Sequence, residues 1–186
     1  MKLFLYTLQK KMFSISILIL VLICFSVQSA QAAFSNGQPA SDLLGQYVAN
    51  DGVTPVYTTS TAGNGIYGIN TNLPLTGMTG GIDIDIVNHR LFFSDTNNNR
   101  VLVFNLNSSN RLPDRTPDFV LGQPNFTTNT SPGTASQSNL KEPQGLVVNG
   151  AGTRLFVSDG FNRVMVFDIT TITNGENAVN VLGQPN

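Results

Sequence analysis

Apolar residues fall along the second half of this chain in short runs, and one set of runs comes back. Leu91-Phe92-Phe93-Ser94-Asp95 followed by Arg100-Val101-Leu102-Val103-Phe104 returns as Leu155-Phe156-Val157-Ser158-Asp159 followed by Arg163-Val164-Met165-Val166-Phe167. Self-similarity of this length marks one supersecondary unit repeated. With Gly81 set against Gly145, the two repeats align without a gap as far as Asp95 and Asp159. In the second repeat four strand-like runs stand out: Gly145 to Asn149, Arg154 to Ser158, Arg163 to Asp168 and Asn180 to Gln184. β-Branched and aromatic residues bounded by Gly, Asn and Pro predict an antiparallel sheet of four strands joined by tight turns.

The third run is apolar on successive residues, so side chains on both faces of its sheet must be buried. A lone sheet cannot do that. Sheets stacked around an axis can, which favours β-propeller blades over a single sandwich. The fourth run (Val120-Leu121-Gly122-Gln123-Pro124-Asn125; Val181-Leu182-Gly183-Gln184-Pro185-Asn186) carries Gly within and Pro at its end, as an edge strand tolerates. Asp95 and Arg100 close a hairpin whose turn is Thr96 to Asn99; Asp159 and Arg163 bracket Gly160-Phe161-Asn162. Asn and Gly supply the positive φ that short turns need. The acid and base then face each other across the ladder as a structural pair.

Residues 1 to 32 carry a different pattern. Lys2, Lys10 and Lys11 precede an apolar stretch, Met12 to Val27, broken only by serines, and Ala30-Gln31-Ala32 offers the small residues of a cleavage site. This predicts a signal-peptide helix removed before Ala33, hence a secreted or periplasmic protein. The stretch falls short of the roughly 20 residues of a bilayer span, so no stable membrane span is expected after cleavage. Cys24, the one cysteine, follows bulky Ile23 rather than the small residue of a lipid-attachment site and leaves with the signal. The mature chain would therefore hold no disulfide and no thiolate metal site. Lys and Arg total 10 against 11 Asp and Glu, and losing three lysines leaves acid in excess. Nucleic acid is not an expected partner, because phosphate binding needs a dense basic face.

The order Pro143-x-Gly145-Leu-Val-Val, Leu155-Phe-Val-Ser-Asp159, Asn162-Arg163-Val164-Met-Val-Phe167 resembles a blade of the NHL-repeat family. Asp95-Thr-Asn-Asn98-Asn-Arg100 matches that family's Asp-x-x-Asn-x-Arg core in full, over a resemblance spanning about residues 78 to 186. The second repeat is one residue short between Asp159 and Arg163, and Thr79 stands where the family favours proline. The Leu-Gly-Gln-Pro-Asn ends are similar to those of a bacterial, exported subset. The resemblance implies a propeller, and often a binding role, without any catalytic assignment.

These readings give an all-β chain: residues 1–32 a signal peptide, 33–77 an N-terminal edge strand and linker, 78–125 one blade, 126–141 a long inter-blade loop, and 142–186 a second blade. Leu44-Gly45-Gln46 echoes the fourth run and is expected to be a leading edge strand. Two blades cannot close a ring of about four to eight. A partial propeller is therefore expected, completed by further blades, either from more chain beyond Asn186 or by oligomerisation.

Antiparallel order puts the turn Thr96 to Asn99 at the same end as the loop Phe126 to Glu142, a polar face rich in amides and hydroxyls. Loops on a rigid scaffold are where binding sits, so Asn97, Asn98, Asn99, Phe161 and Asn162 are the candidate ligand-binding residues, for a protein or a glycan. Asp95-x-Asn97-x-Asn99 is not a calcium loop, since Arg100 and Leu106 stand where glycine and a bidentate glutamate are needed. Asp83 and Asp85 share a strand face, towards a central channel if there is one, and could serve as paired acids. The second repeat has Val147 and Asn149 there. His89 is the single histidine, too few for a zinc centre. The serines have no visible base. Asn107-Ser-Ser109, Asn125-Phe-Thr127 and Asn129-Thr-Ser131 match glycan-acceptor triplets that arise easily by chance in such loops. A scaffold without catalysis or cofactor is the leading expectation. The alternative is part of a propeller lyase or lactonase with a channel metal held by several blades, for which Asp83, Asp85 and Asn149 are the available residues; a remnant without function is a third.

Overall fold

Val, Leu and Phe on successive positions, closed off by Asn- and Gly-containing turns, fold into eight strands among the described residues. The computed structural model describes residues 37–40, 42–47, 51–58, 63, 65–71 and 80–183. The expected signal-peptide helix, Thr79 and the residues from Gln184 onward lie outside these. The chain divides into two units, Met1–Ala40 and Ser41–Asn186. Of the first, only residues 37–40 are described, all exposed. Among the described residues no helix is long and apolar enough to cross a membrane.

The second unit holds strands β1 (Ile82–Asp85), β2 (Arg90–Asp95), β3 (Arg100–Asn105) and β4 (Phe119–Leu121), then β5 (Leu146–Val148), β6 (Arg154–Asp159), β7 (Arg163–Asp168) and β8 (Asn180–Leu182). They form two antiparallel four-stranded sheets, each in sequential order. Register sets Asp95 opposite Arg100 and Asp159 opposite Arg163, as the hairpin reading requires. β8 stops at Leu182 because Gly183, at φ +92°, turns the backbone out of the ladder. Leu44 to Gln46 is not a strand: Gln46 accepts from Val56 N (3.0 Å) and Tyr47 bridges Pro55. A fourth strand needs a third beside it, and no described residue supplies one there.

Each sheet has two apolar faces. Leu91, Leu102, Phe104 and Val120 point one way in the first sheet, corresponding to Leu155, Met165, Phe167 and Val181 in the second; we term this the leading face. Phe92, Val101, Val103 and Leu121 point the other way, corresponding to Phe156, Val164, Val166 and Leu182; this is the trailing face. The main core joins the trailing face of the first sheet to the leading face of the second. Equivalent faces therefore do not meet; the packing is head to tail. Phe92, Val101, Val103 and Leu121 are all 0% exposed, and each such side chain taken from water contributes about 1.5–3 kcal/mol. The leading face of the first sheet forms a second cluster with Leu44, Ile69, Leu106, Leu112 and Phe126.

Polar contacts tie the sheets at two further points. Gly81 N donates to Gln144 O at 2.7 Å, where β1 and β5 run so close that a β-carbon on Gly81 would stand 2.7 Å from that oxygen. At the other end of β1, buried Arg90 donates to Asp85 Oδ2 (2.6 Å) and reaches across to the carbonyls of Ile169 (2.6 Å) and Gly152 (3.2 Å). Gly152 sits at φ +65°, pressed on Asn88 and Asp85.

Candidate functional site

The loop end of the molecule is organised by one motif used twice. In the first repeat a single 3-10 turn, Thr96–Asn98, leads to Asn99 in the left-handed region (φ 56°), so the chain reverses within the space between Asp95 and Arg100. Both side chains of that pair are 0% exposed, with Arg100 Nε 2.7 Å from Asp95 Oδ2. Asn98 donates to both carboxylate oxygens (3.0 and 2.9 Å), and the Asn70 amide donates to Oδ1 (2.7 Å). Burial pushes the Asp95 carboxyl above its ordinary value, against the pull of Arg100 and these donors. A buried pair of this kind fixes geometry more than it adds stability, because desolvating two ions offsets their attraction.

Arg100 uses its remaining donors on backbone: Gly65 O (2.7 Å), Gly68 O (3.0 Å) and Phe126 O. Arg163 does the same in the second repeat, reaching Ser136 O (2.9 Å) and Asn139 O (3.0 Å), while Lys141 N approaches Asp159 Oδ2 at 3.4 Å. Gly65, Gly68 and Asn70 thus play the parts of Ser136, Asn139 and Lys141, at one constant spacing along the chain. The aliphatic residues between them match too. Leu140 lies on Gly122 (φ +85°) and Ile69 on Gly45 (φ +91°), each over the glycine of a Leu-Gly-Gln element. The segment read from sequence as a linker is therefore a second version of the inter-sheet connection. Its signal in the sequence is the echo Leu44-Gly45-Gln46; the aliphatic residue seated on the glycine carries no sequence signal of its own.

Of the candidate ligand residues, two are committed to the protein itself. Asn98 is 1% exposed and also donates to Gly63 O (2.8 Å); Asn99 is 3% exposed, accepts from Glu142 N (3.0 Å) and donates to Asn97 O and Asn129 O. Their amides hold loops, which removes them from a ligand-facing role. Asn97 is half-buried and donates to Asn70 through both backbone (2.8 Å) and side chain (3.1 Å). Phe161 is half-buried with Lys141 Nζ at 5.4 Å and the Arg163 guanidinium at 5.1 Å from its ring centre, and Asn162 is exposed at φ 58°. The predicted meeting of the turn Thr96 to Asn99 with the loop after Phe126 is observed, through Asn99 and Arg100.

No family model and no curated protein matches this sequence. Chemistry must be read from the side chains.

Asp83 and Asp85 lie on the trailing face, opposite Phe92 and Arg90, and so face the neighbouring sheet rather than an open channel. Asp83 accepts from Val148 N (2.8 Å) of the second sheet. Asp85 is 2% exposed; burial raises its carboxyl, but donors from Asn88 and Arg90 prevail and hold it below the ordinary value. Asn149 caps its own turn, accepting from Thr153 N (2.8 Å) and Arg154 N (3.0 Å). His89 Nδ1 stands 2.7 Å from Asn110 Oδ1. Among the described residues no three His, Cys, Asp or Glu side chains gather in metal-binding geometry.

Proposed function

We propose that this chain is an exported, non-catalytic repeat scaffold of the NHL propeller kind, whose loop end binds a protein or a glycan. The observation that carries the reading is the head-to-tail packing of the two sheets. A contact between unlike faces can repeat into a ring or an open stack rather than ending in a pair; here the leading face of the first sheet is covered by Leu44, Ile69 and their neighbours, and the trailing face of the second is left to be filled. The Asp-x-x-Asn-x-Arg core, one residue shorter in the second repeat, supports the family resemblance by what it does: in both repeats the arginine ties the preceding connection to the hairpin. Loops so anchored are presented on a rigid frame, which favours recognition at low entropic cost.

Phe161 and Asn162 are the ligand contacts we assign, an aromatic ring approached by two cations beside an exposed amide. Binding of the mature chain to defined oligosaccharides and to purified envelope proteins tests this. Saturable binding weakened about tenfold or more by Phe161→Ala, equivalent to about 1.4 kcal/mol, supports it; binding indifferent to Phe161 and Asn162 overturns it. The lyase or lactonase alternative loses its two acids, since Asp83 and Asp85 are occupied by Val148 N and by Arg90.

A further inference from the structure

Three of the contacts that join the first sheet to the second have counterparts on the outer side of the second sheet, and there none of them meets a further sheet. Phe92, Val101, Val103 and Leu121 are wholly buried, whereas of their equivalents only Val166 is buried, at 6% exposed; Phe156 and Val164 are half-buried and Leu182 is 49% exposed, beside Val147 at 54%. Arg90 reaches two carbonyls of the next sheet, whereas Arg154 folds back onto Asp168 Oδ2 (2.8 Å) and Thr153 O (2.8 Å). Leu140 covers Gly122, whereas the atoms that approach Gly183 are backbone, Asn162 O at 3.3 Å and Arg163 Cα at 3.7 Å. Gly183 nevertheless keeps the same left-handed turn, φ +92° against +85°. It borders a cleft of about 290 Å³ lined by Ser158, Asp159, Asn162, Arg163, Val164 and Leu182.

We infer that this trailing face is a docking surface for one further four-stranded sheet of the same build, whose connecting segment seats an aliphatic side chain on Gly183. The inference rests on the repeat-scaffold reading and names its partner residue by residue. The incoming sheet must offer an apolar leading face to Phe156, Val164 and Leu182, backbone carbonyls to the Arg154 guanidinium, and a leucine or isoleucine to the glycine. Continuity with the interface between the two sheets present argues for this occupant. A second copy of the chain does not fit in the same manner, because the leading face it would have to offer is already covered: Leu91, Leu102, Phe104 and Val120 are at most 7% exposed.

Gln123-Pro124-Asn125 and Gln184-Pro185-Asn186 are identical, so appending a copy of residues 126–186 after Asn186 reproduces the natural spacing. In a Cys24→Ser background, Leu182→Cys and separately Val147→Cys are labelled with a maleimide in the original and the extended chain. Burial under the added sheet is expected to slow both by about tenfold or more, as closed segments exclude reagent. Replacing the appended counterpart of Leu140 by Asp should restore fast labelling at Leu182→Cys; if that version does not fold, Ala there should restore it in part. Unchanged labelling in a folded, monomeric extended chain overturns the docking surface, and protection indifferent to the seated residue overturns the role of Gly183. A dimer of the original chain with Leu182→Cys already protected overturns it in favour of self-association. Failure of the loop end to bind any ligand leaves these labelling results untouched, so the two readings fail separately.

Discussion

Leu140 lies across Gly122, with three of its carbons 2.8 Å from the point where a β-carbon would stand. The glycine is required twice over, by its φ of +85° and by the leucine above it. Gly183 has the same backbone but no side chain above it among the described residues, which separates the two requirements.

Gly122→Ala is expected to cost about 2–4 kcal/mol, the left-handed strain plus overpacking against Leu140, whereas Gly183→Ala costs about 1–2 kcal/mol from strain alone. Urea unfolding of the two variants measures the difference. Equal losses would mean that Leu140 is not seated as described.

Removing one member of a fully buried ion pair leaves the other charge uncompensated. Arg100→Met should lower stability by about 3–5 kcal/mol, and adding Asp95→Asn should recover part of it. Arg163→Met should cost less, since its contacts to Asp159 are longer (3.2–3.3 Å) and its side chain keeps 6% exposure. Denaturant midpoints of the three variants decide this.

Asp85 and Asp95 have opposite effects on acid stability. Asp85 is held below its unfolded value of 3.8, so its contribution is present above that pH and disappears as pH falls through the lower, folded value. Asp95 is raised above 3.8, so its contribution is present below that pH and declines as pH rises through the higher, folded value. Asp85→Asn should therefore flatten the loss of stability on acidification, and Asp95→Asn should steepen it. Unfolding curves between about pH 2 and pH 6 test both signs.

Much of this architecture is legible in the chain. Val101 to Phe104 and Val164 to Phe167 require burial on both faces wherever they fold, and Asn99 and Asn162 mark the turns, because these are local consequences of side-chain volume and backbone preference. The paired Asp and Arg could be placed opposite each other from turn length alone. Burial could not: Asn98 and Asn99 read as exposed loop amides until Gly63, Asn129 and Glu142, distant in sequence, are seen closing over them.

The repeat, the strands of the two sheets and the hairpin pairing follow from the order of residues alone, since all are set by neighbours along the chain. That unlike faces pack together, that Ile69 answers Leu140, and that Asp83 and Asp85 face a neighbouring sheet emerge only from the three-dimensional packing. These depend on which surfaces meet after each sheet has formed, and a period of two along a strand names its two faces without saying what lies against either.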